Sequence, residues 1–216
     1  MEFCSDIYVA VAYLAPLHYY ARMLNCNRVV IEQHENYIKQ TYRNRCMILS
    51  ANGAMPLSIP VDKAMPGKCP IRDIRLSDHN PWQILHWRSI EAAYNSSPFF
   101  EYYRDAIEPY FQKKWDFLFD FDIALQEAIL SCLDMNPDIT FTDSFQKDVA
   151  PDVLDLRYSL EPTTEPFQAD QNYKEISYYQ VFDKKFGFIP NLSIIDLLFN
   201  MGPESLLILE QMLTAH

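Results

Sequence analysis

Residues 7–32, IYVAVAYLAPLHYYARMLNCNRVVIE, carry the pattern on which the fold turns. Ile7 to Leu14 is a short apolar run with β-branched residues, stopped by Pro16, and it reads as a buried strand. A helix is expected from about Leu17 to Leu24, a turn at Asn25, Cys26 and Asn27, and a second strand in RVVIE, Arg28 to Glu32. The result is a strand, a helix and a strand, joined by a connection close to the shortest that a parallel crossover tolerates.

Downstream, CMILSANGAMPLSIPV places Asn52-Gly53 between two strand-like runs, and a tight hairpin needs residues that accept positive φ at that point. PIRDIRL, Pro70 to Leu76, is expected to add another strand. Pro81 stands where a first helical residue belongs, with Asn80 or Asp78 as a candidate cap, and WQILHWRSIEAAY continues at helical spacing. A further helix is expected over Phe100 to Lys114, and Asp120 or Asp122 is a candidate cap for another, IALQEAILSCL. DITFTDSF reads as a strand. Lys147 to Ser177 has little periodicity and many Pro, Asp, Glu and Thr, so it reads as a long surface excursion. Two short helices separated by Gly202-Pro203 close the chain. The expectation is a mixed α/β fold: strand, helix, strand and hairpin, then central helices, an irregular acidic segment and carboxyl-terminal helices. No linker divides it, so residues 1–216 are expected to form a single domain.

Net charge is −11, unevenly spread. Arg28 to Arg75 holds eight Lys/Arg against four Asp/Glu, whereas Glu101 onward holds eight against twenty-one. The acidic half disfavours nucleic acid, and the basic patch suits a small anionic ligand, with scattered solvated charge as the alternative. No segment has the length of a membrane span, and the first residues lack a basic leader pattern, so a cytoplasmic protein is expected. The five cysteines are odd in number and never spaced as C-x-x-C; they read as small core residues.

The segment IEQHENYIKQTYRNR, residues 31–45, concentrates acids, bases, tyrosines and one histidine. Arranged on a loop at strand ends, Glu32 and His34 could move a proton, Lys39, Arg43 and Arg45 could supply charge and forked hydrogen bonds, and Tyr37 and Tyr42 could offer flat packing surfaces. Such a set suits a sugar phosphate or nucleotide-sugar. The alternative is that Asn44 and Arg45 fasten the following hairpin through internal bonds. His18, at a helix start after a proline turn, could touch phosphate as in HIGH-type nucleotidyltransferases, but Tyr19 and Tyr20 replace the glycine and second histidine of that motif, and a packed His18 is the alternative. HENYI lacks the second histidine of a zinc-protease motif, and no pair has diagnostic metal spacing, so no metal site is expected. No glycine loop of the common phosphate-cradling types occurs, and the residues leave the cofactor unknown. Asp155, Arg157, Tyr179 and Gln180 read as solvated surface by default, with ligand contact as the alternative. Asp196 interrupts an apolar helix and must be bonded, with Arg43, Arg45 or a backbone turn as its expected partner.

Taken together, YIKQTYRNR, LSIPV, IEAAYNSSPFFEYY and LSIIDLLFNMGPES, in that order, resemble the signature blocks of the WbqC-like family, from about Tyr13 to Leu209. The resemblance implies a link to bacterial surface-polysaccharide synthesis of O-antigen type and a transferase or sugar-nucleotide-processing activity. It also ranks the Asn44-Arg45 pair highest among the candidate ligand residues. VAYLAP keeps only Tyr13 and Pro16 of the family's opening segment, and the second half is shortened around TFTDSFQKDVAPDVLDLRYSLEP. A competing reading is a non-catalytic scaffold that meets a protein partner through PFFEYYRDAIEPYF.

Overall fold

The computed structural model describes residues 6–62, 69–160, 162, 170 and 172–213. Strand β1 covers Ile7–Ala10, helix α1 Leu17–Leu24 and strand β2 Val29–Glu32, and the two strands pair in parallel, Ile7 opposite Val29 and Ala10 opposite Glu32. The crossover through α1 is therefore long enough. Ile7, Val9, Val29 and Ile31 share one face and are wholly buried, which explains the β-branched alternation. Only the first half of the expected strand is extended; Tyr13 and Leu14 leave it, and Leu14 takes a positive φ of 42°.

Strand β3, Arg45–Ser50, and β4, Gly53–Ser58, form the expected antiparallel hairpin, with Gly53 at φ 105°. The expected strand over Pro70–Leu76 is instead a 3-10 turn, Ile71–Asp73, because the proline fixes the entry and the flanking residues make only isolated bridges. Helices α2, Trp82–Tyr94, α3, Phe100–Gln112, and α4, Leu118–Cys132, follow. None of them has a side-chain cap: Asn80 offers its backbone carbonyl to Trp82, and α4 begins at Leu118, so Asp120 lies in its first turn and Asp122 faces inward.

Strand β5, Ile139–Phe141, pairs in parallel with β2. The expected surface excursion contains a fourth parallel strand, β6, Leu154–Asp155, beside β1. The sheet order is β5-β2-β1-β6. Helix α5, Asp183–Phe186, leads to α6, Ile194–Met201, a 3-10 turn, Gly202–Glu204, and α7, Ser205–Gln211. A Cβ on Gly202 would stand 2.6 Å from the Phe99 ring, so glycine is required where α6 meets the start of α3. Asp196 is bonded as expected but not to arginine: it accepts from Tyr178 (2.7 Å), Tyr94 (2.9 Å) and Gln180 (3.0 Å). Gln180 is thus buried structure rather than solvated surface. Cys26 and Cys46 are buried and Cys69 and Cys132 half-buried; Cys4 and part of the acidic excursion lie outside the described residues.

Candidate functional site

From β1 the chain moves to β2 and β5 on one side and later returns to place β6 on the other, so the strand order reverses between β1 and β6. In open parallel sheets this switch point, at the carboxyl ends of the strands, is where ligands are received. Continuing the observed registers aligns Thr142, Glu32, Ala10 and Arg157 in one row across that edge.

Glu32 is the centre of the row and is wholly buried. One of its oxygens accepts from Thr142 Oγ1 (2.7 Å) and the backbone N–H of His34 (2.8 Å); the other accepts from Arg157 Nη1 and the Gln146 N–H, both at 3.2 Å. Arg157 is 1% exposed and also donates to Asp155 from Nε (2.9 Å) and Nη2 (2.7 Å). The rings of Tyr8 and Tyr158 lie 5.1 and 5.5 Å from its guanidinium carbon. Arg43 forms a buried fork with Glu35 (2.7 and 2.6 Å) and donates to the Arg157 carbonyl (3.2 Å). Burial raises the Glu35 carboxyl above its ordinary range, with Arg43 opposing the shift, and the Arg157 contacts hold Asp155 below its ordinary range against the cost of its own partial burial. Two arginines thus serve three carboxylates. Asp155 and Arg157, expected on solvated surface, instead tie the sheet edge together.

A narrow crevice at this edge is lined by Ala10, Ala12, Tyr19, Tyr42, Arg43 and Arg157. Beside it, on the sheet face that carries Tyr8, Val30 and Thr140, lies a hollow of about 400 Å³ bordered by Tyr8, Arg28, Thr140, Thr142, Gln146 and Asp148. Thr142 and Gln146 border the hollow and bond Glu32, whose partner Arg157 lines the crevice. The size lies within the range of small-molecule sites.

The segment 31–45 is divided by the structure. Glu32 and Tyr42 reach the carboxyl edge; Tyr42 lines the crevice, accepts from the Tyr13 N–H (2.8 Å), and burial pushes its phenol up to about 12. His34 is half-buried and Lys39 exposed, and neither lines the crevice. Tyr37 is half-buried, its N–H donating to the Cys69 carbonyl (2.9 Å). Asn44 Nδ2 donates to the Ile59 carbonyl (3.0 Å) and Arg45 Nε to Ser58 Oγ (3.1 Å), contacts that fasten the hairpin. His18 is wholly buried, its Nε2 2.8 Å from Asp170 and its ring 4.2 Å from that of Tyr173. Arg22 forks onto the same carboxylate. Burial lowers the His18 pKa, with the Asp170 contact opposing the shift, and the ring sits in a packed cluster.

Sequence reading missed Thr142, Gln146 and the structural weight of Arg157. Only the buried sheet edge reveals them. A separate hollow of about 550 Å³ lies between Tyr102, Tyr103, Cys132 and Pro203, with Tyr102 75% exposed. Among the described residues no helix is long and apolar enough to cross a membrane.

The chain is 24% identical over 196 residues to the uncharacterized protein Rv1507c of Mycobacterium tuberculosis, covering 82% of this chain and 84% of that protein. No solved structure matches. The sequence model of the WbqC-like protein family matches residues 12–164 and 168–208, nearly the whole chain. With a family match of that extent over the strands and helices that build the carboxyl edge, the chain belongs to the WbqC-like protein family.

Proposed function

We propose that this chain is an enzyme of bacterial surface-polysaccharide assembly, of transferase or sugar-nucleotide-processing type, that takes a sugar phosphate or nucleotide-sugar at the carboxyl edge of its parallel sheet. The observation that carries this reading is the switch-point edge itself, where a hollow of about 400 Å³ adjoins the Glu32–Arg157–Arg43 network. The family membership supports it by resemblance. Hydroxyl, amide and carboxylate groups from Thr140, Thr142, Gln146 and Asp148, with the Tyr8 ring, suit the hydroxyls and flat faces of a sugar. Arg28, on the border of the same hollow, gives a forked donor for a phosphate, which would exchange with its present partner Asp6. Glu32 orders this edge, while His34 and Lys39, on the loop leaving β2, meet the ligand from outside as proton carrier and charge.

The test is a thermal-shift screen of the full chain against nucleotide-sugars, sugar phosphates, nucleotides and neutral sugars. A ligand at one hundred times its Kd stabilises the native state by about 2.7 kcal/mol, which such a screen detects. The reading expects a saturable rise with sugar-phosphate ligands that Tyr8→Ala weakens and Tyr102→Ala leaves intact. No rise with any of them contradicts it. A second reading, a protein-partner scaffold, is favoured by the exposure of Tyr102 over its own hollow. Light scattering that shows concentration-dependent association lost in Tyr102→Ala supports that reading; a strict monomer counts against self-association.

A further inference from the structure

The inward face of α4 carries three buried acceptor atoms without a partner among the described residues: both carboxyl oxygens of Asp122 and Oε1 of Gln126. The two residues are 1% and 4% exposed, and their four-residue spacing stacks them on one side of the helix. The Asp122 carboxyl lies within electrostatic reach of the Tyr13, Tyr19 and Tyr20 hydroxyls and the Cys46 thiol. None of these groups bonds it, and two are committed elsewhere: Tyr13 bonds His86 Nδ1 (2.9 Å) and Tyr19 donates to the Ala10 carbonyl (3.0 Å). The other buried acids described, Glu32, Glu35, Asp170 and Asp196, each have bonded partners. Buried polar groups are almost always satisfied, so this exception calls for a donor from outside the chain.

The chemistry of that donor follows from the acceptors. Three unpartnered acceptors on adjacent helical turns match the three N–H groups of a primary ammonium, whose charge would also balance Asp122 as it ionises on binding. The Tyr13 ring, packed on Phe121 at 5.8 Å, adds an aromatic border that favours a cation. A hard divalent cation would ask for six or more oxygens and fits this trio poorly. We propose that Asp122 and Gln126 form a binding site for the primary ammonium group of a small amine. The inference does not depend on reading the sheet edge as a sugar-phosphate site, which has its own ligands and variants.

The experiment melts the full chain at constant ionic strength in methylammonium, sodium and tetramethylammonium chloride, and in glucosamine against glucose. Methylammonium is expected to raise the melting temperature saturably, beyond the other two salts. Asp122→Asn is expected to abolish that rise while melting no lower than the unmodified chain, and Gln126→Leu to weaken methylammonium binding about tenfold, as loss of one good hydrogen bond does. Glucosamine acting at lower concentration than methylammonium assigns the ammonium to an amino sugar; equal action assigns it to simple amines. Equal shifts in all three salts overturn the proposal, as does an unchanged melting temperature in both amines, which leaves water as the donor. A strongly destabilised Asp122→Asn also overturns it, because the carboxyl would then have an internal structural role.

Discussion

Glu32 and Asp122 are both buried carboxyl groups, but one sits among four donors and the other has none. Glu32 closes a strand edge where backbone N–H groups, a threonine and an arginine converge, so the cost of removing it from water is offset by directed bonds. Asp122 projects from the middle of a helix whose own N–H groups are committed along its axis, and burial alone pushes its pKa well above the ordinary carboxylate range. The difference separates a buried carboxylate whose bonds build the fold from a buried carboxyl group held without partners at a stability cost. The latter is the usual mark of function.

The comparison breaks most sharply at Arg157. Arg157→Ala leaves Glu32 and Asp155 without their shared cation, and urea unfolding should show a loss of about 3–5 kcal/mol. A loss below about 1 kcal/mol would mean the network is not what joins β6 to the sheet. Asp196 sharpens the contrast through pH. Burial pushes it up to about 6 from 3.8 despite its three donors, so the folded chain holds a proton that the unfolded chain releases. That stabilisation is fully present below about pH 4 and is lost as pH rises through about 6, on the order of 3 kcal/mol in all. Asp196→Asn should flatten the stability profile between pH 4 and 6; an unchanged slope would refute the assignment. Thr142→Val deletes one bond to Glu32 and should cost about 2 kcal/mol in denaturant melts, against near zero if Glu32 needs fewer partners. Asp122→Asn should have the smallest effect, within about 0.5 kcal/mol of the unmodified chain or stabilising, measured the same way.

Local patterns carried much of this architecture. The first half of the apolar run before Pro16, the Leu17–Leu24 helix and the Asn52-Gly53 hairpin follow from short-range chemistry, and the structure has each of them, although the strand stops at Ala10. Strand β6 could not be read that way: two residues carry no periodicity, and Pro151 with its acidic neighbours signals a loop. Missing β6 hid the strand order, and with it the switch point and the pairing of Arg157 with a glutamate 125 residues away. Asp122 was legible only as an acid near a helix start. Because α4 begins earlier, at Leu118, the same residue turns to the core. In the segment 31–45 the composition suggested one cleft, but hairpin register draws Asn44 and Arg45 toward Ile59 and Ser58, leaving Glu32 and Tyr42 at the sheet edge.

The central claim is that the carboxyl edge of the sheet receives the sugar-phosphate ligand, and hydrogen–deuterium exchange with and without a nucleotide-sugar tests it most directly. The account predicts ligand-dependent protection at Thr142 to Gln146 and Leu156 to Tyr158, with none over Phe99 to Ala106. Protection confined to Phe99 to Ala106, or absent throughout at saturating ligand, would contradict it.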